Sequence, residues 1–119
     1  DKRAELFIYN RVIHPSVMIR KSFLENNNII YDEKFKYSQD YELWSRICTI
    51  ANIYIIPKVC LKYRIHAAQI STAKVKEQNA LCKEIYLNDL KRLSDKFSIE
   101  DTKYLFYLSK KSEEDISKK

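Results

Sequence analysis

The side chains of this sequence that are best suited to chemistry lie in two short stretches. Asp40 falls in the first turn of a helix predicted from Gln39 to about Ala51. Arg64 and His66 share one face of the segment from Lys58 to His66, in which apolar and polar residues alternate. A carboxylate at the positive end of a helix stays ionised and exposed. Two nitrogen donors on one face of a strand suit a group that carries negative charge.

The helix that carries Asp40 is predicted to be buried on most of its circumference. Ser38 is the predicted N-cap, and Asp40 and Glu42 lie in the first turn, where the helix dipole favours negative charge. The helix shows two apolar stripes, one of Tyr41, Trp44, Cys48 and Ala51 and the other of Leu43, Ile47 and Ile50. Asp40 is therefore expected on a firmly packed element.

The other elements are predicted to be short before residue 72 and long after it. Short elements are the end of a helix at 1–9, strands at 16–19 and 53–56, a helix at 20–26, a polar loop at 31–37 and the alternating strand at 58–66. The Asn26-Asn27-Asn28 run is predicted to end the helix at 20–26, because asparagine adopts the left-handed conformation at little cost. A helix is predicted from Ala73 to Leu93, and another starts at Ser98 and Asp101, which form a capping-box-like pair, and continues to about Lys110.

Composition predicts one modest globular core. The chain has 119 residues, 45% hydrophobic and 32% charged, which argues against disorder and against a membrane span. It has no glycine, although average usage predicts roughly eight, so it lacks a glycine-rich phosphate cradle. Because it also starts without a methionine, we expect a piece of a longer protein whose nucleotide-binding part lies elsewhere.

The cysteines indicate the redox compartment and the net charge indicates the sign of the partners' charge, but neither identifies a particular ligand. Cys48, Cys60 and Cys82 are widely spaced and include no Cys-x-x-Cys pair, which argues against a disulfide framework or a zinc site and implies a reducing compartment. The formal charge of +6 suits anionic partners in general, including nucleotide diphosphates, acidic lipid headgroups and nucleic acid.

Several strings between His14 and Ser71 resemble family 2 glycosyltransferases of the GT-A fold. The strings are His14-Pro15-Ser16-Val17-Met18-Ile19-Arg20-Lys21, Tyr31-Asp32-Glu33 with Phe35, Gln39-Asp40-Tyr41-Glu42-Leu43-Trp44 with Arg46, and Tyr63-Arg64 with His66 and Ser71. Order and spacing also agree, and the resemblance covers roughly half of the chain.

The resemblance implies a mixed, helix-rich α/β fold. Residues 1–72 would form the acceptor-side, C-terminal part of a GT-A nucleotide-diphospho-sugar transferase domain, and residues 73–119 a C-terminal helical extension. The metal-binding Asp-x-Asp of the family has no match, and neither does a βαβ unit for the nucleotide base. The chain alone is therefore expected to be inactive.

The resemblance also assigns residue roles. Asp40 would be the general base that takes a proton from the acceptor hydroxyl in an inverting displacement, although an aspartate in a first turn can simply complement the helix dipole. Arg64 and His66 would meet the donor diphosphate; the alternative is a solvated edge strand. Trp44 and Asp32 are weaker candidates for acceptor binding, since Trp44 has the spacing of a core residue and Asp32 lies in a loop.

Cofactor and partners follow from the same resemblance. The parent enzyme would use a divalent metal, Mg²⁺ or Mn²⁺, with ligands mostly outside this chain and none assigned within it. Its partners would be a nucleotide-diphospho-sugar donor and a glycan or lipid-linked acceptor, with no nucleic acid. It would be cytoplasmic, associated in some cases with the inner face of the cytoplasmic membrane, in bacterial polysaccharide biosynthesis for the cell envelope.

Two alternatives remain open at this point. A small basic helical module that binds nucleic acid or a protein partner is supported by the charge of +6 and by nine tyrosines, which can stack on bases. Alternatively, the C-terminal helices form a membrane-surface anchor or a homodimer contact, because lysines flank their apolar stripes.

Overall fold

The computed structural model describes residues 10, 12–66, 68–93, 98, 100–101 and 107. Four α-helices lie in these ranges: α1 (Lys21–Asn26), α2 (Gln39–Ile50), α3 (Ile70–Ala73) and α4 (Val75–Leu93). Two 3₁₀ turns, His14–Ser16 and Glu33–Phe35, precede α1 and α2 respectively. The helix-rich character expected from the sequence is confirmed, whereas the predicted helix end at 1–9 and most of the predicted last helix lie outside the described residues.

Helix α1 ends in the left-handed conformation that the asparagine run predicts. Asn28 has a φ of 51°, and the N–H of Ile29 donates to the carbonyl of Leu24, with the N–H of Asn28 donating to that of Glu25. This pair of bonds is a Schellman motif, which satisfies carbonyl groups that the helix leaves free. Ile29 and Leu24 also pack in the same apolar cluster, so the turn directs the chain into the core.

Helix α2 is the centre of the structure, and its first and last residues agree with the prediction to within one position. Ser38 is the residue before the helix, but its hydroxyl does not cap the helix. It lies 3.4 Å from the carbonyl oxygen of Gln78 and 3.5 Å from the sulfur of Cys82, both on α4. The predicted burial is confirmed, because seven of the twelve residues are buried: Tyr41, Glu42, Leu43, Trp44, Ser45, Ile47 and Cys48.

Two apolar clusters use different faces of α2. In the first, Leu43, Trp44 and Ile47 of α2 pack with Ile29 and, at the periphery, with the partly buried residues Val12, Val17, Ile19, Phe23, Leu24 and Ala51. In the second, Tyr41 of α2 packs with Phe35 and with Ile85 of α4. Helix α2 is thus fixed from both sides, since burial of large side chains is the dominant favourable term in folding.

Helices α2 and α4 run in the same direction. The contacts Ser38–Cys82 and Ser45–Asp89 both join residues that are 44 positions apart, so α2 and α4 advance together along the contact. Between these contacts, Tyr41 packs with Ile85. Contacting residues therefore recur at intervals of three and four on each helix, which is the spacing of a seam between nearly parallel helices.

The three predicted strands are wrong for the residues that the structure describes, which contain no strand. Side chains at 16–19 do alternate between the two sides of the chain, because Val17 and Ile19 are half-buried while Met18 is exposed. In the segment 53–66, however, residues of the predicted apolar face are exposed. Val59, for example, is 87% exposed. Strands are stable only when their N–H and C=O groups pair with a neighbour, and none is provided within the described ranges. The mixed α/β architecture is corrected there to a helical one.

One pattern near the chain's end is confirmed locally. The hydroxyl of Ser98 accepts from the N–H of Asp101, and the carboxylate of Asp101 accepts from the N–H and hydroxyl of Ser98. This reciprocal pattern is the predicted capping box. The hydrogen bonds from Ser98 hold the pKa of Asp101 below its usual value.

Candidate functional site

Asp40 lies in the first turn of α2 and is half-buried. One carboxylate oxygen, Oδ1, lies 2.8 Å from the backbone nitrogen of Tyr41, and the other, Oδ2, accepts a hydrogen bond of 3.4 Å from the side-chain amide of Asn10. The partial positive charge at the start of α2 and the negative charge of a carboxylate attract each other. The side chain is therefore held at the surface by few contacts, on an element whose other faces are packed.

Two exposed rings, His14 and Tyr31, lie next to one another, and we call this pair the ring ledge. Their ring centroids are 5.9 Å apart and their planes meet at 82°, an edge-to-face contact. Partial burial raises the pKa of Tyr31, and the negative charge of Asp40 raises it further. The Tyr31 hydroxyl therefore keeps its proton over a wider pH range and can donate a hydrogen bond.

Trp44 lies beneath the ring ledge. Its ring centroid is 5.9 Å from that of His14, with an angle of 37° between the planes, and only 2% of the residue is exposed. The indole nitrogen is buried without a hydrogen-bond partner among the described residues. Trp44 therefore lies in the apolar core and supports His14 from below, one turn after Asp40 on the same helix.

An ion pair on α2 fixes the backbone next to Tyr31. The guanidinium of Arg46 makes two hydrogen bonds of 2.7 Å to the carboxylate of Glu42, one turn earlier on the helix. A second bond from Arg46 Nη2, of 2.6 Å, reaches the carbonyl oxygen of Ile30. Because a planar guanidinium can bind a carboxylate through two donors and still reach a third acceptor, Arg46 links α2 to the residue before Tyr31.

The two acceptor-binding candidates occupy structural positions. Asp32 caps the short 3₁₀ turn Glu33–Phe35, because its carboxylate accepts a 3.0 Å bond from the N–H of Lys34. Trp44 presents almost no surface, as described above. Asp32 remains half-exposed and close in sequence to Tyr31. Acceptor binding by these two residues stays a prediction.

Arg64 and His66 lie on the exposed segment 53–66, between α2 and α3. Within the described ranges, no hydrogen bond or ion pair joins either side chain to Asp40. The backbone N–H of His66 lies 3.4 Å from the side-chain oxygen of Gln69, the residue before α3. Because the predicted strand does not form here, the shared face of the two side chains is not established, and their binding of a diphosphate stays a prediction.

The described residues contain no cluster of three or more His, Cys, Asp or Glu side chains that could hold a metal ion. They therefore do not fit the divalent ion that the family resemblance implies. Within the same ranges, no helix is sufficiently long and apolar to cross a membrane.

Reasoning from the sequence missed two features of this region. The sequence assigns no role to His14 and predicts Tyr31 to lie in a loop, although both stand in the strings that carry the resemblance. The second is a buried polar contact, in which Ser45 of α2 donates to Asp89 of α4 and Arg92 forms an ion pair of 3.2 Å with the same carboxylate. The spacing of seven residues between Ser38 and Ser45, matched between Cys82 and Asp89, is the signal in the sequence for this seam.

Comparison with known proteins finds relatives but no family model and no solved structure. No protein-family model matches the chain, and no solved structure is significantly similar to it. Among curated proteins, an uncharacterized glycosyltransferase of Haemophilus influenzae is 24% identical over 95 residues, which cover 80% of this chain and 29% of the relative.

Two further relatives match shorter parts of the chain. An uncharacterized glycosyltransferase of Rickettsia prowazekii is 31% identical over 70 residues, covering 59% of this chain and 22% of the relative. One of Methanocaldococcus jannaschii is 41% identical over 69 residues, covering 56% of this chain and 22% of the relative. The chain thus spans less than a third of the length of these relatives. It is similar, over part of its length, to proteins named uncharacterized glycosyltransferases.

Proposed function

We propose that this chain is the acceptor-side part of a family 2 glycosyltransferase with a GT-A fold. The longer enzyme would transfer a sugar, with inversion, from a nucleotide diphosphate donor to a glycan or a lipid-linked acceptor. The names of the relatives support a glycosyltransferase in general, and the strings around Asp40 and Arg64 support the particular family.

The observation that carries the proposal is the position of Asp40. A general base must be ionised, reach the hydroxyl it deprotonates and keep its place during the reaction. Asp40 stands at the start of a helix in which seven of the twelve residues are buried, is itself half-exposed, and has the Asn10 amide as a hydrogen-bond partner. An aspartate that only complemented the helix dipole would not need a neighbouring surface with exposed rings, whereas an acceptor site does.

In the proposed chemical step one proton is transferred, one bond forms and one bond breaks. A carboxylate oxygen of Asp40 takes the proton of the acceptor hydroxyl, and the resulting oxygen nucleophile attacks the anomeric carbon of the donor sugar. The bond from that carbon to the diphosphate oxygen breaks, and the nucleotide diphosphate leaves with the electron pair. Attack opposite the leaving group inverts the configuration of the anomeric carbon.

Arg64 and His66 are proposed to meet the diphosphate as it leaves. Negative charge develops on the leaving oxygen, and donors placed there lower the barrier. Both side chains lie on an exposed segment within the described ranges, so they are accessible to a ligand. In the longer enzyme this segment would pair as a strand of the GT-A sheet and present both side chains on one face.

Cofactor, partners and location are part of the same proposal. The longer enzyme is proposed to use Mg²⁺ or Mn²⁺, with ligands from residues other than those described here. Its location would be cytoplasmic, at or near the inner face of the membrane, where nucleotide-activated sugars meet lipid-linked acceptors.

The Asp40→Asn substitution in the full-length enzyme tests the proposal. Asparagine keeps the size of the side chain but cannot take the proton, so turnover should fall by about 10²-fold or more while donor binding is retained. Release of nucleoside diphosphate measures turnover, and calorimetry with the nucleotide sugar measures donor binding. The matched control is Glu25→Gln, which removes an exposed carboxylate from α1 outside the strings that carry the resemblance and should change neither quantity. Near-normal transfer by the Asp40→Asn enzyme would remove the assignment.

A further inference from the structure

The ring ledge is an unusual surface for a residue pair that serves only packing. His14 and Tyr31 contact each other edge to face, yet His14 is exposed and 45% of the Tyr31 surface remains accessible. The ledge also has a rigid base, because Trp44 packs against His14 from the buried face of α2. On the backbone side, Arg46 holds the carbonyl of Ile30, the residue before Tyr31.

Polar groups near Tyr31 can donate and accept hydrogen bonds. The carboxylate of Asp40 lies close enough to Tyr31 for its charge to raise the pKa of the phenol, and the amide of Asn10 lies 3.4 Å from the same carboxylate. An apolar ring face therefore borders a carboxylate, an amide and a phenolic hydroxyl. Ligand sites commonly combine aromatic surface with a few placed polar groups in this way.

A pyranose ring has surfaces of both kinds. Its axial C–H bonds form an apolar face with partial positive charge, which is attracted to the negative face of an aromatic ring. Its hydroxyl groups lie at the edge and both donate and accept hydrogen bonds. The edge hydroxyls of a ring placed on the ledge remain free to bond to polar groups near Tyr31, such as the carboxylate of Asp40.

We propose that His14 and Tyr31 form the acceptor-sugar platform of this protein, on which the apolar face of a pyranose stacks while one of its hydroxyls meets Asp40. The inference rests on the proposed function for the role of Asp40, but the platform itself is a carbohydrate-binding site with its own readout. It assigns acceptor binding to two exposed rings instead of to the buried Trp44. Tyr31 supplies the stacking face, and His14 fixes the orientation of Tyr31 through the edge-to-face contact.

The platform can be tested by binding alone, in the full-length enzyme and without a donor sugar. The probes are the methyl glycosides of the common hexoses and N-acetylhexosamines, observed by saturation-transfer difference NMR. The sugar protons of one C–H face should show the strongest saturation, because they lie against the ring.

Variants separate stacking from other contributions. Tyr31→Ala should weaken binding of the best probe by about three- to tenfold, whereas Tyr31→Phe, which keeps the ring, should weaken it less. His14→Ala should also weaken binding, because Tyr31 loses its edge contact. The control is Tyr54→Ala, which removes a tyrosine that is 82% exposed on the segment 53–66 and should leave binding unchanged.

The outcomes distinguish this inference from the proposed function. Binding that is lost in Tyr31→Ala but retained in Tyr31→Phe and Tyr54→Ala supports the platform, whatever Asp40→Asn does to transfer. Binding that is equal in Tyr31→Ala and Tyr54→Ala overturns the platform, even if Asp40 proves to be the base. If none of the glycosides binds to the full-length enzyme at tens of millimolar, which corresponds to about 2–3 kcal/mol of binding free energy, the platform is also rejected.

Discussion

Ser45 of α2 donates a hydrogen bond to the carboxylate of Asp89 of α4, and both residues are buried. Arg92, one turn after Asp89, lies 3.2 Å from the same carboxylate oxygen and 3.4 Å from the Ser45 hydroxyl. The other oxygen of Asp89 is buried without a partner among the described residues. This buried polar contact holds α2 and α4 in one register, because a shift of either helix would take the Ser45 donor away from the buried carboxylate.

The Ser45→Ala substitution should destabilise the fold by about 1–3 kcal/mol. It removes the hydroxyl donor from a carboxylate that is only 1% exposed and leaves Arg92 as its partner, and a hydrogen bond to a buried carboxylate contributes more than an ordinary one. Urea unfolding followed by circular dichroism measures the change. Thr49→Ala is the control, since it removes an exposed hydroxyl from the same helix and should alter stability by less than about 0.5 kcal/mol. Equal effects of the two substitutions would contradict the role given to Ser45.

Asp89 should make the folded state more stable as the pH falls. Burial raises the pKa of Asp89 above its usual value of 3.8, although the bond from Ser45 and the charge of Arg92 act in the opposite direction. Between 3.8 and the raised pKa, the folded chain holds a proton that the unfolded chain has released. This group's contribution to the free energy of unfolding therefore increases as the pH falls through that window and is constant below it.

The Asp89→Asn substitution isolates that contribution. The difference in unfolding free energy between the original chain and the variant should move in favour of the original chain on acidification toward pH 3.8. Urea midpoints of both proteins across this range measure it. A difference that stays constant with pH, or that moves in favour of the variant, would show that Asp89 titrates normally or is held ionised.

The Arg46→Lys substitution should lower stability by about 1–2 kcal/mol and loosen the ring ledge. Lysine keeps the charge but cannot make the two bonds to Glu42 and a third to the Ile30 carbonyl at once. Urea unfolding measures stability, and the fluorescence of Trp44 reports on the ledge. Lys21 and Glu25 on α1 form a pair with the same spacing, but both side chains are exposed, so Glu25→Gln should cost less than about 0.5 kcal/mol. A loss from Arg46→Lys no greater than that from Glu25→Gln would mean that the Glu42 pair is only a surface contact.

The Arg64→Ala substitution tests the donor side of the proposed function. In the full-length enzyme it should weaken the binding of the nucleotide sugar or slow its turnover by roughly tenfold, because a charged hydrogen bond to the diphosphate is lost. Lys76→Ala on α4 removes the same charge from an exposed helix position and serves as the control. If donor affinity and turnover are both unchanged by Arg64→Ala, Arg64 does not belong to the site.

Local features of the fold could be predicted from the sequence because short-range physics determines them. The periodicity of α2, the left-handed Asn28 and the reciprocal bonds of Ser98 and Asp101 depend on neighbours within a few positions. The positions of α2 and α4 were accordingly predicted to within a few residues, although Lys74 interrupts the predicted long helix and separates α3 from α4.

Features that depend on distant residues could not be predicted in the same way. The Ser38 hydroxyl was expected to cap α2, but it lies against Gln78 and Cys82 of a helix 40 or more positions away. The segment 53–66 has the alternation of a strand, but alternation does not provide a partner for its backbone groups. Within the candidate site, the sequence identified Asp40, whereas the contact between His14 and Tyr31 required the turn at Asn28 to return the chain to α2.

The common direction of α2 and α4 has a consequence for the order of folding. Contacts between them close loops of 40 to 47 residues, whereas Arg46 reaches Ile30 across only 16. The entropy lost on closing a loop grows with its length, and non-local contacts form slowly. The unit around α1 and α2 should therefore assemble before α4 docks, and amide hydrogens of α4 should exchange with solvent through openings that leave α2 protected.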